Sequence, residues 1–506
     1  MTTQLAEPTA QRRSGRRAPR VVVIGSGLGG LACALRLLAA GAEVTVVEAA
    51  ATAGGRAGQI REHGHTFDTG PSLITMPQLL DELFDLAGTS TADQLRLQRL
   101  EPFYRIHWRA RAEHFDFSAD FASMTDQIGR FSVRDARRYP AFLAHSRRIY
   151  EQAILGAGTR PFLRVHDFLR LVSTMARLGA IRSVEHFVET YFEEPHVRQA
   201  FSFHPLFIGG DPYRVPAVYA ALAYLQIDSG VWYAQGGVYS LVQALVRLLG
   251  SGATLEFGDP VVEILQRDDR VSGVRTSGGV VHPADYVVSN ADVVETRRLL
   301  GESADSGPEP TMSCFLLYLG TSRAFPQLAH HTLLVGDDYP GFIRDVTKLG
   351  RFGRSPSLYL HAPARSEPAM APPGGDSLSV LLPVPNLKSG LDWSRAETQV
   401  RRQVLEAMES DQGLGLSGLS SSLVLERSWS PVDFQSRLRA HLGNAFGPEP
   451  TLLQSAYFRQ PNRDRRVRGL YHVGAGTHPG AGIPGVLMGA ALTSGLLLEE
   501  EVARWR

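Results

Sequence analysis

Four β-branched residues, Val21 to Ile24, run straight into Gly25-Ser26-Gly27-Leu28-Gly29-Gly30, and this junction constrains the chain more than any other feature. Such a run is expected of a parallel strand buried on both faces. The glycines fit G-x-G-x-x-G. Leu31 to Ala40 then reads as a helix, Gly41 as its stop, and Val44 to Val47 as a second strand that ends at Glu48. Gly25 permits the tight turn, Gly27 lets backbone approach a pyrophosphate, and Gly30 lets helix and strand pack closely. The helix start offers unpaired N–H groups to phosphates. Glu48 is placed to accept hydrogen bonds from ribose hydroxyls, which favours NAD or FAD over NADP. A lone glycine fingerprint is weak, but strand, turn, helix, strand and acid in this order are not.

The chain has 506 residues, so two or three subdomains are expected around this unit. Hydrophobic residues at 43% and charged residues at 20% match a soluble globular protein, which excludes a mainly disordered or polytopic membrane chain. A formal net charge of +1, from 52 basic and 51 acidic side chains, supplies no field to concentrate nucleic acid. Only Cys33 and Cys314 are present, too few for a disulfide framework or a thiolate metal site, so both read as buried free thiols in a reducing cytoplasm. No metal is expected. Arg12, Arg13, Arg16, Arg17 and Arg20 ahead of an apolar run imitate a twin-arginine signal. Cleavage there would destroy the fingerprint, so residues 1–19 read as a mobile basic tail. Residues 21–47 are apolar but interrupted by Arg36, Glu43 and glycines, and no transmembrane span is convincing.

Shortly after Glu48 stands Gly54-Gly55-Arg56. This resembles the extension of the fingerprint in the glutathione-reductase-like superfamily, amine-oxidase-like branch. There the glycines carry backbone under a flavin and the arginine reaches the pyrophosphate, which selects FAD. At the far end, Leu470 to Val473 reads as a short strand, followed by five glycines between Gly474 and Gly485. Pro484 then opens an apolar helix to about Val502, proline being suited to a first turn. Glycines this dense remove side chains where backbone approaches a flat ligand. The helix start adds partial positive charge against a reduced flavin ring. Gly476 and Ile483 are cofactor candidates on this ground, with Gly25, Ser26, Gly27, Gly30, Glu48, Gly55 and Arg56. Thr254 to Phe257, Val261 to Gln266 and Val271 to Thr276 read as strands leading to Ala284–Asp292. By resemblance, the Val261 backbone meets the adenine and Asn290-Ala291 closes the strand beside the cofactor. The expected FAD domain therefore combines residues 20–80, 236–300 and 455–506.

Beyond the fingerprint, the chain resembles bacterial-type phytoene desaturases of the carotenoid and retinoid oxidoreductase family over nearly its whole length. The carrying residues are Phe67-Asp68-Thr69-Gly70-Pro71-Ser72, Pro102 to Trp108, Phe203 to Gly210, Gly230 to Gly237, Leu328-Ala329-His330-His331-Thr332 and, above all, Gly474 to Gly485. The last block lacks the flavin-linking cysteine of many amine oxidases. The resemblance implies an α/β fold with an FAD-binding Rossmann-like domain. It adds a mixed-sheet substrate domain over 301–454 and a helical, membrane-contacting region over 81–235. It also implies removal of hydrogens from an acyclic C40 polyene, oxygen or a quinone as electron acceptor, and a cytoplasmic enzyme peripherally attached to the cell membrane. Related members catalyse a later 3′,4′-desaturation, isomerisation or saturation. The chain departs from the common wording at Asp211-Pro212-Tyr213 and Tyr224 to Ser229, both in the substrate region.

Phe162 to Phe192 alternates Leu, Val and Phe with Arg164, Arg170, Arg177 and Arg182. That pattern suits a helix pair on a membrane, and equally a pair on the protein's own core. Ser313 to Leu319, Ser357 to His361 and Ser377 to Pro383 read as strands forming one wall of a tunnel, with Pro368 to Gly375 a surface loop. Desaturation needs a hydride acceptor, which a flavin supplies, and a proton acceptor, which no motif names. His204, His330, His331 and His478 are candidates by residue type. Arg147 and His478 are the catalytic candidates, Arg147 as a cation that would steady developing charge. A flavin amine oxidase of the same fold would need a polar or aromatic cage, and a non-catalytic escort protein would show a damaged cofactor site. Gly25, Gly27, Gly30, Glu48 and Arg56 are all intact.

Overall fold

Val21, Val22 and Val23 are at most 2% exposed and sit mid-sheet, as an uninterrupted β-branched run requires. Their strand, Arg20–Ile24, pairs in parallel with Glu43–Glu48 on one side and Tyr286–Ser289 on the other. Thr254–Phe257 and Leu470–His472 complete a five-stranded sheet. Two strands thus come from residues 20–80, two from 236–300 and one from 455–506. The structure is a computed structural model that describes residues 17–109, 111, 113–303 and 307–504. Most of the basic N-terminal segment, including Arg12, Arg13 and Arg16, lies outside the described residues. Arg20 is anchored, its N–H donating to Asp285 at 2.9 Å.

The fingerprint helix spans Leu28–Ala39, starting earlier than its propensities predict. Gly29 and Gly30 read as loop by composition, yet they belong to the first turn because the helix must lie close to the strand. A Cβ on Gly30 would fall 2.2 Å from the Gly25 carbonyl oxygen. The C-terminal helix, Ile483–Arg504, packs along the fingerprint helix and buries Leu487, Ala490 and Leu497. It is the one helix among the described residues long and apolar enough to cross a membrane, but half of its apolar window is buried in this core.

The second body is a seven-stranded mixed sheet. Its order is Leu423–Trp429, Ser313–Thr321, Asp376–Val384, Leu358–His361, His331–Val335, Tyr104–Trp108 and His114–Phe117. All neighbours are antiparallel except His331–Val335 with Tyr104–Trp108. The region 81–235 is therefore not purely helical: Tyr104, Ile106 and Trp108 alternate buried with Arg105 and His107, a strand period that carries this segment into the sheet. Helices between Phe121 and Ser229 pack over the face of the sheet that carries Tyr104 and Phe117, and several of them line the cavity. In the Pro368–Gly375 segment, Pro368–Met370 forms a short turn whose Met370 is buried, while Pro373 and Gly374 are exposed. Cys33 and Cys314 are both free and buried, and burial pushes the Cys33 thiol up to about 12.

Candidate functional site: a two-armed cavity

A cavity of about 1040 Å³ runs between the two bodies. One arm is lined by Gly25, Gly27, Glu48, Gly54, Gly55, Arg56, Val261 and Asn290, and continues along Gly474, Ala475 and the helix start at Ile483. The other is apolar, lined by Phe162, Phe168, Leu171, Met175, Leu222 and Met312, among others.

The first arm fits a dinucleotide. Glu48 is fixed at its strand end: Oε2 accepts from the Ser26 N–H and hydroxyl, each at 2.7 Å, and Oε1 from the Ala50 N–H at 2.9 Å. Arg56 donates Nε to the Ala445 carbonyl at 2.8 Å and reaches Asn444 with Nη2 at 3.4 Å. No carboxylate stands within ion-pair distance of it among the described residues, and burial lowers its pKa, with Asp292 only partly opposing. A guanidinium held by carbonyls in a desolvated wall, without an acid, is an anion site awaiting its charge. Beside it the Asn290 side chain packs under the glycine turn, its Oδ1 where a Cβ on Gly474 would come to 2.6 Å. These residues fit FAD: Arg56 would hold its pyrophosphate, Glu48 its ribose and the Val261 backbone its adenine.

Not every sequence-derived candidate reaches the lumen. Gly27, Glu48, Gly55, Arg56, Val261, His478 and Ile483 line the cavity, as does Gly25. Ser26, fully buried, acts from behind the wall by holding Glu48, and Gly30 by close packing. Gly476 also stands behind it, since a Cβ there would meet Val293 at 2.7 Å. Arg147 is a correction: its side chain is exposed and pairs with Glu151 at 2.8 Å, an i,i+4 surface bridge outside the cavity.

His478 lies in the wall, its ring edge-on to Phe162 and its Nε2 3.0 Å from the Arg160 carbonyl. Burial lowers its pKa to about 4, so at neutral pH it is an uncharged imidazole. His204 bonds the Tyr104 hydroxyl at 2.7 Å inside an aromatic cluster, away from the lumen. His330 and His331 sit behind the cavity-lining Tyr359, whose hydroxyl is 2.7 Å from His331 Nδ1. Sequence reasoning did not single out Tyr359 or the cavity-lining Arg459. Arg459 is 4% exposed, and burial lowers its pKa. Each reaches the cavity only through tertiary contacts, and neither belongs to a local motif.

The apolar arm has a mouth. Phe168, Leu171, Val172 and Met175 line it at i, i+3, i+4 and i+7 of the helix Val165–Arg177. Ile181 and Leu452 line the cavity yet are 45% and 38% exposed, so they stand at its rim. Leu169 and Leu453 stand exposed nearby, and a Phe168–Phe458 edge contact joins the two segments.

A fold of this kind, with glycine turn, acidic strand end and glycine-rich far loop on one cavity, defines an FAD-binding oxidoreductase architecture. The chain belongs to the family of flavin containing amine oxidoreductases, whose model matches residues 28–498. Within that family it is similar to the lycopene-forming phytoene desaturase of Pseudescherichia vulneris, at 41% identity over 95% of this chain and 99% of that one. The lycopene-forming phytoene desaturase of Pantoea ananas is 39% identical over 94% of this chain and 99% of its own. Among solved structures, an oxidoreductase from Methanosarcina mazei shares the fold, with TM-score 0.63 and 19% identity over 93% of this chain and 99% of that one.

Proposed function

We propose that the chain is an FAD-dependent desaturase that introduces double bonds into an acyclic C40 polyene, with phytoene as first substrate. The observation that carries this reading is the joining of a glycine-built cofactor arm to a long apolar arm in a single cavity. A polyene offers no polar handle, so shape and apolar contact must position it. The desaturase relatives supply the same reading from sequence.

When bound, FAD supplies hydride-accepting chemistry. The protein's residues supply the rest. Arg56, Glu48 and Val261 would hold the cofactor, and Phe162, Phe168, Leu171 and Met175 would exclude water. His478 would present a neutral ring to the lumen. An amine oxidase needs polar groups about the substrate amine. Here the acidic lining residues, Glu48, Asp292 and Glu295, all belong to the cofactor-domain segments.

The exposed Leu163, Val165, Leu169, Leu453 and Phe458, interleaved with exposed Arg164, Arg170, Arg177 and Arg182, support peripheral docking of the mouth on a cytoplasmic membrane face. A lipid-soluble substrate would then enter without crossing water.

Expression in cells that accumulate phytoene, and separately in cells that accumulate lycopene, tests the reading. Red-shifted pigment bands arising from phytoene are expected, their position giving the number of double bonds made. A shift from lycopene alone would move the reading to a late end-group desaturase. No change in either, with bound flavin confirmed, would overturn it.

A further inference from the structure

Alternate residues of each strand in the seven-stranded sheet face the cavity, so paired residues make rows across it. One row runs Leu316, Leu381, Tyr359, Leu333 and Ile106, and it lines the cavity. Its only polar group is the Tyr359 hydroxyl. Two residues along each strand, the next row reads Tyr318, Ser379, His361 and His331. Every member is polar, in a sheet interior where Tyr318, His361 and His331 are at most 1% exposed. Unused polar groups do not survive such burial cheaply.

Hydrogen bonds thread the two rows together. Ser72 in the cavity wall bonds the Tyr359 hydroxyl, which stands 2.7 Å from His331 Nδ1. His361 Nε2 is 3.1 Å from His330 Nε2, and His330 Nδ1 is 2.7 Å from the hydroxyl of half-buried Ser366. The three imidazoles bring nitrogens within 4.8 Å of one another, the span of one bridging water. Against His361 and Tyr359 lies a small chamber of about 20 Å³, lined also by Asp68, Ser72 and Ser379, among others. That is room for one water. His361 and Ser379 line it, and His361 Nδ1, Ser379 Oγ and, nearby in the cluster, His331 Nε2 are buried without a protein partner.

We infer that Ser72, Tyr359, His331, His361, His330 and Ser366 form a proton path from the apolar cavity to the surface, with one water spanning the short gap between the His331 and His361 nitrogens. The inference rests on the desaturase reading. Each new double bond takes a hydride from one carbon, accepted by oxidised flavin, and a proton from its neighbour, whose C–H electron pair becomes the π bond. Substrate loses two electrons and flavin gains two. The proton alone is left for the protein to remove.

The path has the chemistry for it. Each hydroxyl can accept one proton while passing on another, and a neutral imidazole has one donor and one acceptor nitrogen. Burial holds His331 and His361 well below the ordinary histidine range and His330 at about 3, so all three rest neutral and none retains the proton. Facing them are Asp68, raised by burial to about 6, Tyr318, and Tyr233, which donates to Glu367 at 2.6 Å; beyond Ser366, Arg365 pairs with Asp376. A metal ion suits the cluster less well. His331 Nδ1, His361 Nε2 and both nitrogens of His330 already face Tyr359, His330, Ser366 and His361, which leaves only His331 Nε2 and His361 Nδ1 as ligand atoms without a partner.

Tyr359→Phe removes one link and keeps the ring. In the holoprotein given phytoene in liposomes without oxygen, bleaching of the flavin should slow roughly a hundredfold. FAD content and phytoene binding should stay at wild-type levels. Wild-type bleaching should slow in D2O, and that sensitivity should vanish in the variant. Ser72→Ala, which breaks the cavity end of the path, should behave alike and carries the test if Tyr359→Phe does not fold. Independently of turnover, 15N-histidine spectra of the resting protein, assigned by single His substitutions, should show the His330, His331 and His361 rings neutral at pH 7. An active wild type matched in rate by both variants would overturn the path and leave the desaturase reading standing. So would charged imidazoles at pH 7 or a stoichiometric metal on the cluster. A wild type that no polyene reduces would overturn the desaturase reading, and the path with it.

Discussion

The two arms of the cavity are built by opposite means. The cofactor arm is mostly backbone and small side chains: the glycine turn after Ile24, the Gly54-Gly55 bend and the Gly474–Gly485 loop, with charges that include Glu48 and Arg56. The substrate arm is mostly side chains, gathered from helices and from one face of a seven-stranded sheet, with the Tyr318–Ser379–His361–His331 row hidden behind the apolar one. A dinucleotide presents phosphates and hydroxyls that backbone N–H groups and charges can meet. A polyene presents only shape. The first task fixes local sequence, whereas the second asks only that distant apolar residues fill a surface.

Acid should separate the arms most sharply. His204, His330, His331 and His361 lie on the substrate side, and burial depresses each, His204 and His330 to about 3. Each folded-state pKa lies below the unfolded value near 6.5, so the unfolded chain binds more protons and stability falls as pH drops from about 6.5 toward the folded values. The loss is about 1.4 kcal/mol per pH unit per histidine. Asp68 works the other way: raised to about 6, it favours the folded state as pH falls from about 6 toward 4, but it is one group against four. Denaturant titrations at pH 7.5 and 5.5 should therefore show a drop of several kcal/mol. Equal stability at the two values would mean these imidazoles are not buried neutral.

Arg56→Ala probes the other arm. It removes the cation from the glycine-lined wall while the Asn444 and Ala445 carbonyls stay in place. Hydrogen bonds to charged groups are worth about 1.5–3 kcal/mol, so flavin dissociation should become roughly ten- to a hundredfold easier. Pigment-forming activity should recover with excess FAD. An unchanged flavin dissociation constant would place the pyrophosphate elsewhere.

The same contrast explains what could be read from the sequence. Strands at Val21–Ile24, Thr254–Phe257 and Leu470–Val473 and the C-terminal helix were legible because each is a local pattern bounded by glycine or proline. The place of Arg56 in the cavity wall was legible through its glycine pair. The start of the fingerprint helix was misjudged because close packing, not propensity, puts Gly29 and Gly30 inside it. Arg147 faces solvent and pairs locally with Glu151, whereas Tyr104–Trp108 in the mixed sheet and the place of Tyr359 before the histidines depend on pairings between residues far apart in the chain. No window of sequence contains those pairings.

The smallest expected effect concerns the mouth of the substrate arm. Leu169 and Leu453 are 59% and 73% exposed, the former on the helix that lines the cavity with Phe168 and Met175. If that face sits in lipid, each leucine contributes about 1–2 kcal/mol of apolar burial that water denies it. Leu169→Glu with Leu453→Glu should then lower liposome co-sedimentation about tenfold or more. Flavin content and thermal stability should hold, because neither side chain packs in the core. Activity on phytoene delivered in detergent should also persist, while activity on phytoene in vesicles falls. Co-sedimentation equal to wild type would take the membrane away from this face and leave Ile181 and Leu452 as an opening to water, through which a C40 chain has no favourable route.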